Sequence, residues 1–261
     1  MLGFARLAET RVHSDLPEEA ALLCRDQRDD PVFGTFGECF EVKTMVRRSI
    51  LLRTLVVCMA LLLALPLAAA DFSVEPGVPI PEGVPDSVKS LLRAEGIAVK
   101  DGVGKLAVEI WAREKPFEAP PTNGFGIRME TLPEGGMIAL VRFPESGGSD
   151  YREQSIPAGT YTMRYGLHPE DGNHMGVAAS RDFGVLTPVD KDPDPAKVFP
   201  FKELMELTKQ VGNAHPTIVR LEMAETSDTP HLWQDDAEHW VLDLDVAGEP
   251  VGFVVHGHSE E

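Results

Sequence analysis

The chain has 261 residues and a formal net charge of −18, from 24 Lys and Arg against 42 Asp and Glu. This acidic balance excludes a nucleic-acid-binding protein, which needs a basic surface, and disfavours electrostatic binding to anionic lipid. All three cysteines, Cys24, Cys39 and Cys58, precede residue 71, so the rest of the chain has no disulfide, thiolate nucleophile or cysteine zinc site.

Residues 45–70 have the pattern of a secretory signal peptide. Arg47, Arg48 and Arg53 form a basic region, residues 55–65 are apolar, and Ala68 and Ala70 satisfy the small-residue cleavage pattern. We expect cleavage after Ala70 and a periplasmic or secreted protein of 191 residues, with 16 basic and 33 acidic side chains. The alternative is an uncleaved signal anchor, which would be the chain's attachment to a membrane.

Residues 1–44 precede this signal and have no extended apolar period. We interpret them as an extension that is absent from the native protein, with a short cytoplasmic tail as the competing interpretation. Both interpretations predict disorder there.

Residues 71–85 contain four prolines and two glycines, which predicts an extended linker ahead of a single domain over 86–261. Asp86 is predicted to cap a short helix that runs to Glu95 and stops at Gly96. A second helix is predicted from Pro200 to Gly212.

Apolar residues alternate with a two-residue period after residue 100, which predicts β-strands. The predicted strands cover 97–100, 106–111, 125–129, 137–143, 161–167, 219–223, 240–246 and 251–255. Short strands with Gly and Pro turns are typical of an antiparallel sandwich or barrel. We predict a mainly β fold, a jelly-roll or Ig-like sandwich of about nine strands and two short helices. Its interior should join five side chains: Ile110, Tyr161, Met163, Tyr165 and Leu242.

The sequence GLHPEDGNH at 166–174 places His168 and His174 on either side of a turn. Two imidazoles across a hairpin could bind zinc or copper, with Asp171, Met175 or a distant group completing the ligand shell. Asp182 could orient one of the rings through its second nitrogen. The alternative is a pair of solvated histidines at a hairpin tip, because no third ligand has a diagnostic spacing.

Three further side chains are candidate ligand contacts: Arg164, His215 and Trp233. Trp233 lies beside acidic residues and could stack on a sugar or peptide.

A calcium loop is a further alternative at Asp190, Asp192 and Asp194, but proline and phenylalanine replace the required glycine and glutamate. The Gly-x-Ser-x-Gly, phosphate-loop and His-Glu-x-x-His motifs are absent from the sequence, which favours a protein that is not an enzyme.

The run IPAGTYTMRYGLHPEDGNHMG at 156–176, continued by RDFGVLTP at 181–188, resembles a family of uncharacterised exported bacterial proteins. The similarity covers about residues 85–256 and implies export and a β-rich fold, with no known activity. Our leading hypothesis is a non-enzymatic binding or accessory module of the envelope, whose partner is a small molecule, a glycan or an envelope protein. The alternatives are a periplasmic copper or zinc protein and a hydrolase of envelope polymers.

Overall fold

The structure is a computed structural model that describes residues 71–150, 152–170 and 180–257. The predicted extension and signal peptide lie outside the described residues. The elements in chain order are β1 (Ser73–Pro79), α1 (Asp86–Lys89), β2 (Glu95–Lys100), β3 (Leu106–Ala112), β4 (Met137–Phe143), β5 (Gly148–Ser149), β6 (Ser155–Ile156), β7 (Gly159–Leu167), β8 (Asp182–Pro188), α2 (Phe201–Thr208), a 3-10 turn (Lys209–Val211), β9 (Ile218–Met223), β10 (His231–Gln234), β11 (Trp240–Val246) and β12 (Glu249–His256).

Ten strands form one sheet in the order β1-β2-β3-β4-β7-β8-β9-β12-β11-β10, and β5 and β6 form a separate small hairpin. All the strand pairs are antiparallel. The order follows the chain up to β9, after which the last three strands run back so that β12 pairs with β9. The predicted mainly β, antiparallel fold is therefore confirmed.

The sheet curls until its two ends approach each other. Phe72, next to β1, stacks on His256 of β12 with ring centroids 4.8 Å apart. Arg93 forms an ion pair of 2.6 Å with Asp245 of β11. These contacts join the first strands of the order to β12 and β11 near its other end, so the sheet is nearly closed around one interior.

The interior is a single apolar cluster to which strands from both halves of the sheet contribute. It contains all five of the side chains that the alternation assigned to one interior: Ile110, Tyr161, Met163, Tyr165 and Leu242. Burial of apolar area at about 25 cal/mol per Å² is the main term that holds such a sheet together. The two helices lie outside it, where α1 covers Trp111 and α2 covers Phe183 and Val185.

The second predicted helix, from Pro200 to Gly212, is confirmed as α2 with the 3-10 turn, and Gly212 ends it with a φ of +99°. The first helix is shorter than predicted and ends at Lys89. The chain leaves the helix because the N–H of Arg93 donates to the carbonyl of Ala112 at 3.0 Å, which directs residues 95–100 into β2.

The strand predicted at 125–129 is wrong, because this segment is a loop. Its alternation has another cause: Ile127 and Met129 both insert into the interior, while Gly126 adopts a φ of +73° that breaks an extended strand. The predicted linker 71–85 contains β1, which pairs with β2 along its length. Strand β10 had no predicted counterpart.

The two ends of the interior differ. At the end that contains Ala112, Leu167 and Asp182, the loop 113–136 inserts three buried apolar side chains: Ile127, Met129 and Leu132. We call this the plugged end. The opposite end contains Leu106, Phe143 and Val255, and we call it the open end because a cavity lies there.

Candidate functional site

His168, the first histidine of the predicted metal loop, lies just after β7 at the plugged end. Its N–H donates to the carbonyl of Arg181 at 2.9 Å, and its ring packs on Phe183 with centroids 4.4 Å apart. His174 and Asp171 lie outside the described residues, so the metal site remains a prediction.

Asp182 is buried, with 2 % of its surface exposed. Its carboxylate accepts the Tyr165 hydroxyl at 2.5 Å and the N–H groups of Arg128 and Met129 at 3.0 and 3.1 Å. Burial first, and then this contact with Asp182, raises the pKa of Tyr165 above its ordinary value of 10.0. In these contacts Asp182 fixes the loop at the plugged end.

Arg164 is a buried structural residue rather than an accessible ligand contact. Its side chain and that of Asp192 are both fully buried and form an ion pair of 2.7 Å. The other guanidinium donors reach the second oxygen of Asp192 and the carbonyls of Gly135, Lys197 and Asp194. All five donors of the side chain are thus used inside the protein, which leaves none for a ligand.

Trp233 lies in β10 on the outer surface of the sheet and is partly exposed. Its indole N–H donates to Oδ1 of Asp243 at 2.9 Å, and His231 lies 3.4 Å from the other oxygen of Asp243. Asp243 is fully buried, so these two side chains and the loop before β10, whose Glu225 and Thr226 N–H groups donate to it, shield a carboxylate. His215 is exposed and lies between α2 and β9, away from Trp233 in the strand order.

The candidate residues do not converge on one point. His168 and Asp182 belong to the plugged end, whereas His215 and His256 adjoin strand termini at the open end. In the described part of the chain, His, Cys, Asp and Glu form no group of three or more that could hold a metal ion.

The open end contains a cavity of about 340 Å³. Its floor is the apolar interior itself, since Val108 and Phe143 belong to the main cluster and Val219 and Val255 pack against it. The cavity lies between β3 and β4 on one side and β9 and β12 on the other. It is a concave site with an apolar floor and a largely polar rim, within the size range of small-molecule pockets.

The hairpin formed by β5 and β6 borders this cavity. Gly148 of β5 lies so close to the ring of Phe143 that a Cβ there would be 2.4 Å from the ring. The amide of Gln154 donates to the carbonyl of Pro216 at 3.4 Å, and the amide of Asn213 donates to Ser155 at 3.1 Å. The hairpin therefore reaches from β4 to the segment before β9 and forms one wall.

Two carboxylates of the rim are already used in turns. Oδ1 of Asp101 accepts the N–H groups of Val103 and Lys105 at 3.1 and 2.8 Å. Asp150 is buried and accepts the N–H of Gln154 at 2.8 Å and its side-chain amide at 2.7 Å. These bonds fix the backbone of the rim.

Sequence reasoning did not identify the cavity. Its rim comes from the β2–β3 turn, the 144–158 connection and the last residues of β12. Counting antiparallel strands places the turn after β2 and the connection after β4 at the same end of the sheet. The sequence therefore contained a signal for these two parts of the rim. It contained none for β12, which lies beside them only because the sheet closes.

In comparisons with known proteins, no family model, curated protein or solved structure matches this chain. Among residues 71–150, 152–170 and 180–257, no helix has the length and apolar character that crossing a bilayer requires.

Proposed function

We propose that this chain is a non-enzymatic binding module of the bacterial envelope, and that its ligand is a small molecule held in the open-end cavity. The observation that supports this is the asymmetry of the interior. One end is filled by Ile127, Met129 and Leu132, whereas the other leaves a cavity of about 340 Å³ over the apolar cluster.

The cavity supplies both apolar contact and polar groups, the combination that ligand sites use. Small-molecule pockets are mostly apolar with a few polar groups, and they bury most of the ligand surface. Here Val108, Phe143 and Val219 supply apolar contact, and Ser146 and Ser149 of the hairpin supply hydroxyl groups at the rim. The volume suits a small molecule rather than a polymer chain, which supports binding over hydrolysis of envelope polymers.

The location in this proposal rests on the sequence. The basic, apolar and small-residue regions of 45–70 support export and cleavage after Ala70. The proposal also keeps the finer fold hypothesis, two facing layers of a jelly-roll or Ig-like sandwich, with β1–β4 facing β9–β12 across the cavity.

The test is a fragment screen by NMR on the isotope-labelled protein recovered after export. We expect binding fragments to shift the amide resonances of Gly147, Gly148 and Gly257, which line the cavity. Shifts that map instead to the plugged end or to the outer surface would contradict the proposal.

Two variants sharpen the test. Leu106→Trp and Ser149→Trp place a large ring at the cavity and should abolish these shifts. Leu91→Trp is the control, because Leu91 is also a partly buried apolar residue but packs against the outer cluster. Its binding should equal that of the wild type. Thermal melting of each variant checks that it folds.

A further inference from the structure

Two charged side chains of opposite sign border the open-end cavity and have no side-chain partner among the described residues. Lys105 and Glu153 both line it, and both are exposed. Within the described residues, neither side chain has an ion pair or a side-chain hydrogen bond. Among the described residues, Lys105 and Glu153 are therefore one ammonium and one carboxylate of the rim with no side-chain partner, beside the carboxylates of Asp101 and Asp150, which are hydrogen-bonded to N–H groups.

Both charges are attached to backbone that is held in place. The N–H of Lys105 donates to Oδ1 of Asp101 at 2.8 Å, and the N–H of Asp101 donates back to the carbonyl of Lys105. The N–H of Glu153 donates to the carbonyl of Asp150 at 3.0 Å, in a turn where Glu153 has a φ of +60°. The two charges thus project from ordered turns on different segments of the rim.

We propose that the ligand is a small zwitterion with an apolar body, of the class of free amino acids with apolar side chains. Its carboxylate would pair with Lys105, its ammonium with Glu153, and its apolar part would lie against Phe143 and Val219. This inference rests on the proposed function and specifies the chemistry of the same site.

The pairing explains why one charge on the ligand is not enough. An anion alone pairs with Lys105 but is repelled by Glu153 and by the rim carboxylates, whereas a cation alone pairs with Glu153 but leaves Lys105 without a partner and is repelled by it. Ion pairs with both termini satisfy both side chains, with charge-assisted hydrogen bonds that are stronger than neutral ones. Because both side chains are exposed, each pair should contribute a modest, salt-sensitive increment.

The experiment uses three probes with one apolar body: L-phenylalanine, N-acetyl-L-phenylalanine and L-phenylalaninamide. They present a zwitterion, an anion and a cation. Affinities are measured by NMR titration of the exported protein at low salt. We expect the zwitterion to bind at least about threefold more tightly than either of the others, the size expected of an exposed ion pair.

Charge variants assign each end of the ligand. Lys105→Met should remove the preference for phenylalanine over its amide, and Glu153→Gln should remove the preference over the N-acetyl form. Gln has the same side-chain length as Glu and can adopt the same positive φ at position 153, so folding should be unaffected. Each single reversal, Lys105→Glu or Glu153→Lys, should weaken binding of the zwitterion. The double reversal Lys105→Glu/Glu153→Lys should restore it.

The outcomes separate the two proposals. Equal binding of all three probes in the cavity would overturn the zwitterion and leave the binding module intact. If no probe shifts the cavity resonances while other fragments do, the zwitterion is likewise overturned. If no fragment of any kind binds there, the proposed function itself fails.

Discussion

The hydroxyl of Tyr165 donates a hydrogen bond of 2.5 Å to Oδ1 of Asp182, from β7 to the adjacent strand β8. The same carboxylate accepts the N–H groups of Arg128 and Met129. One buried side chain therefore connects the sheet to the loop that fills the plugged end. Without that loop, the interior would be open at both ends.

We expect Asp182→Asn to destabilise the protein by about 2–4 kcal/mol, because an amide nitrogen would replace one buried acceptor and leave N–H groups unpaired. Tyr165→Phe removes only the hydroxyl and should cost about 1–2 kcal/mol. Urea denaturation measures both. Equal losses for the two variants would contradict the view that Asp182 also holds the loop.

Arg164 gives a second stability prediction, since its ion pair with Asp192 is fully buried. Arg164→Met removes the charged partner of a buried carboxylate, which then keeps only the Thr162 hydroxyl, and should cost about 3–5 kcal/mol in urea denaturation. The control is Lys209→Met, which breaks an exposed ion pair of similar length, 2.6 Å to Glu206. That change should cost less than about 0.5 kcal/mol, and a comparable loss for both would contradict the prediction.

The strands that were predicted correctly from the sequence are those with one face toward the interior. In β7, Tyr161, Met163 and Tyr165 face the interior, whereas Thr162 and Arg164 bond Asp192 on the other face. A two-residue period follows directly from that geometry. The same period gave a wrong strand prediction at 125–129, because alternate side chains of that loop also insert into the interior.

The candidate site was beyond sequence reasoning for a different reason. Lys105 and Glu153 lie on separate turns, and Val255 is near the end of the chain. Nothing local in the sequence indicates that they share a cavity, because their proximity depends on the closure of the sheet. Histidine and tryptophan drew attention by residue type, yet Trp233 shields the buried carboxylate of Asp243.

Gly135 is a position where the backbone tolerates no side chain. It has a φ of +84°, and a Cβ there would lie 1.9 Å from the carbonyl oxygen of Phe199. We expect Gly135→Ala to cost at least about 4 kcal/mol or to prevent folding, as measured by thermal or urea denaturation.

Gly83 is the matched control for Gly135. Its φ is +81°, but a Cβ there would have no heavy atom within 4 Å. Gly83→Ala should therefore show only the backbone strain of a left-handed residue, about 1–2 kcal/mol. Similar losses at the two positions would mean that the contact with Phe199 contributes nothing.

Glu134, beside Gly135, gives a prediction on pH. Burial raises the pKa of its carboxyl above the ordinary value of 4.5, against smaller lowering effects from the Leu167 backbone and the charge of Arg181. The folded chain then holds this proton more tightly than the unfolded chain. Stability is therefore lost as the pH rises from the ordinary value through the folded-state pKa.

We expect Glu134→Gln to be more stable than the wild type at pH 7 and to lose that advantage below the ordinary value of 4.5, where the carboxyl is protonated in both states.

Asp235 should show the opposite dependence of stability on pH. Burial alone would raise its pKa, but hydrogen bonds from His239 and Ala237 lower it below 3.8. Asp235→Asn should therefore lose stability at pH 7, with a smaller loss as the pH falls below that value. Urea denaturation at pH 7 and at about pH 3 measures both, and a gain for Glu134→Gln that is independent of pH would exclude ionisation as its cause.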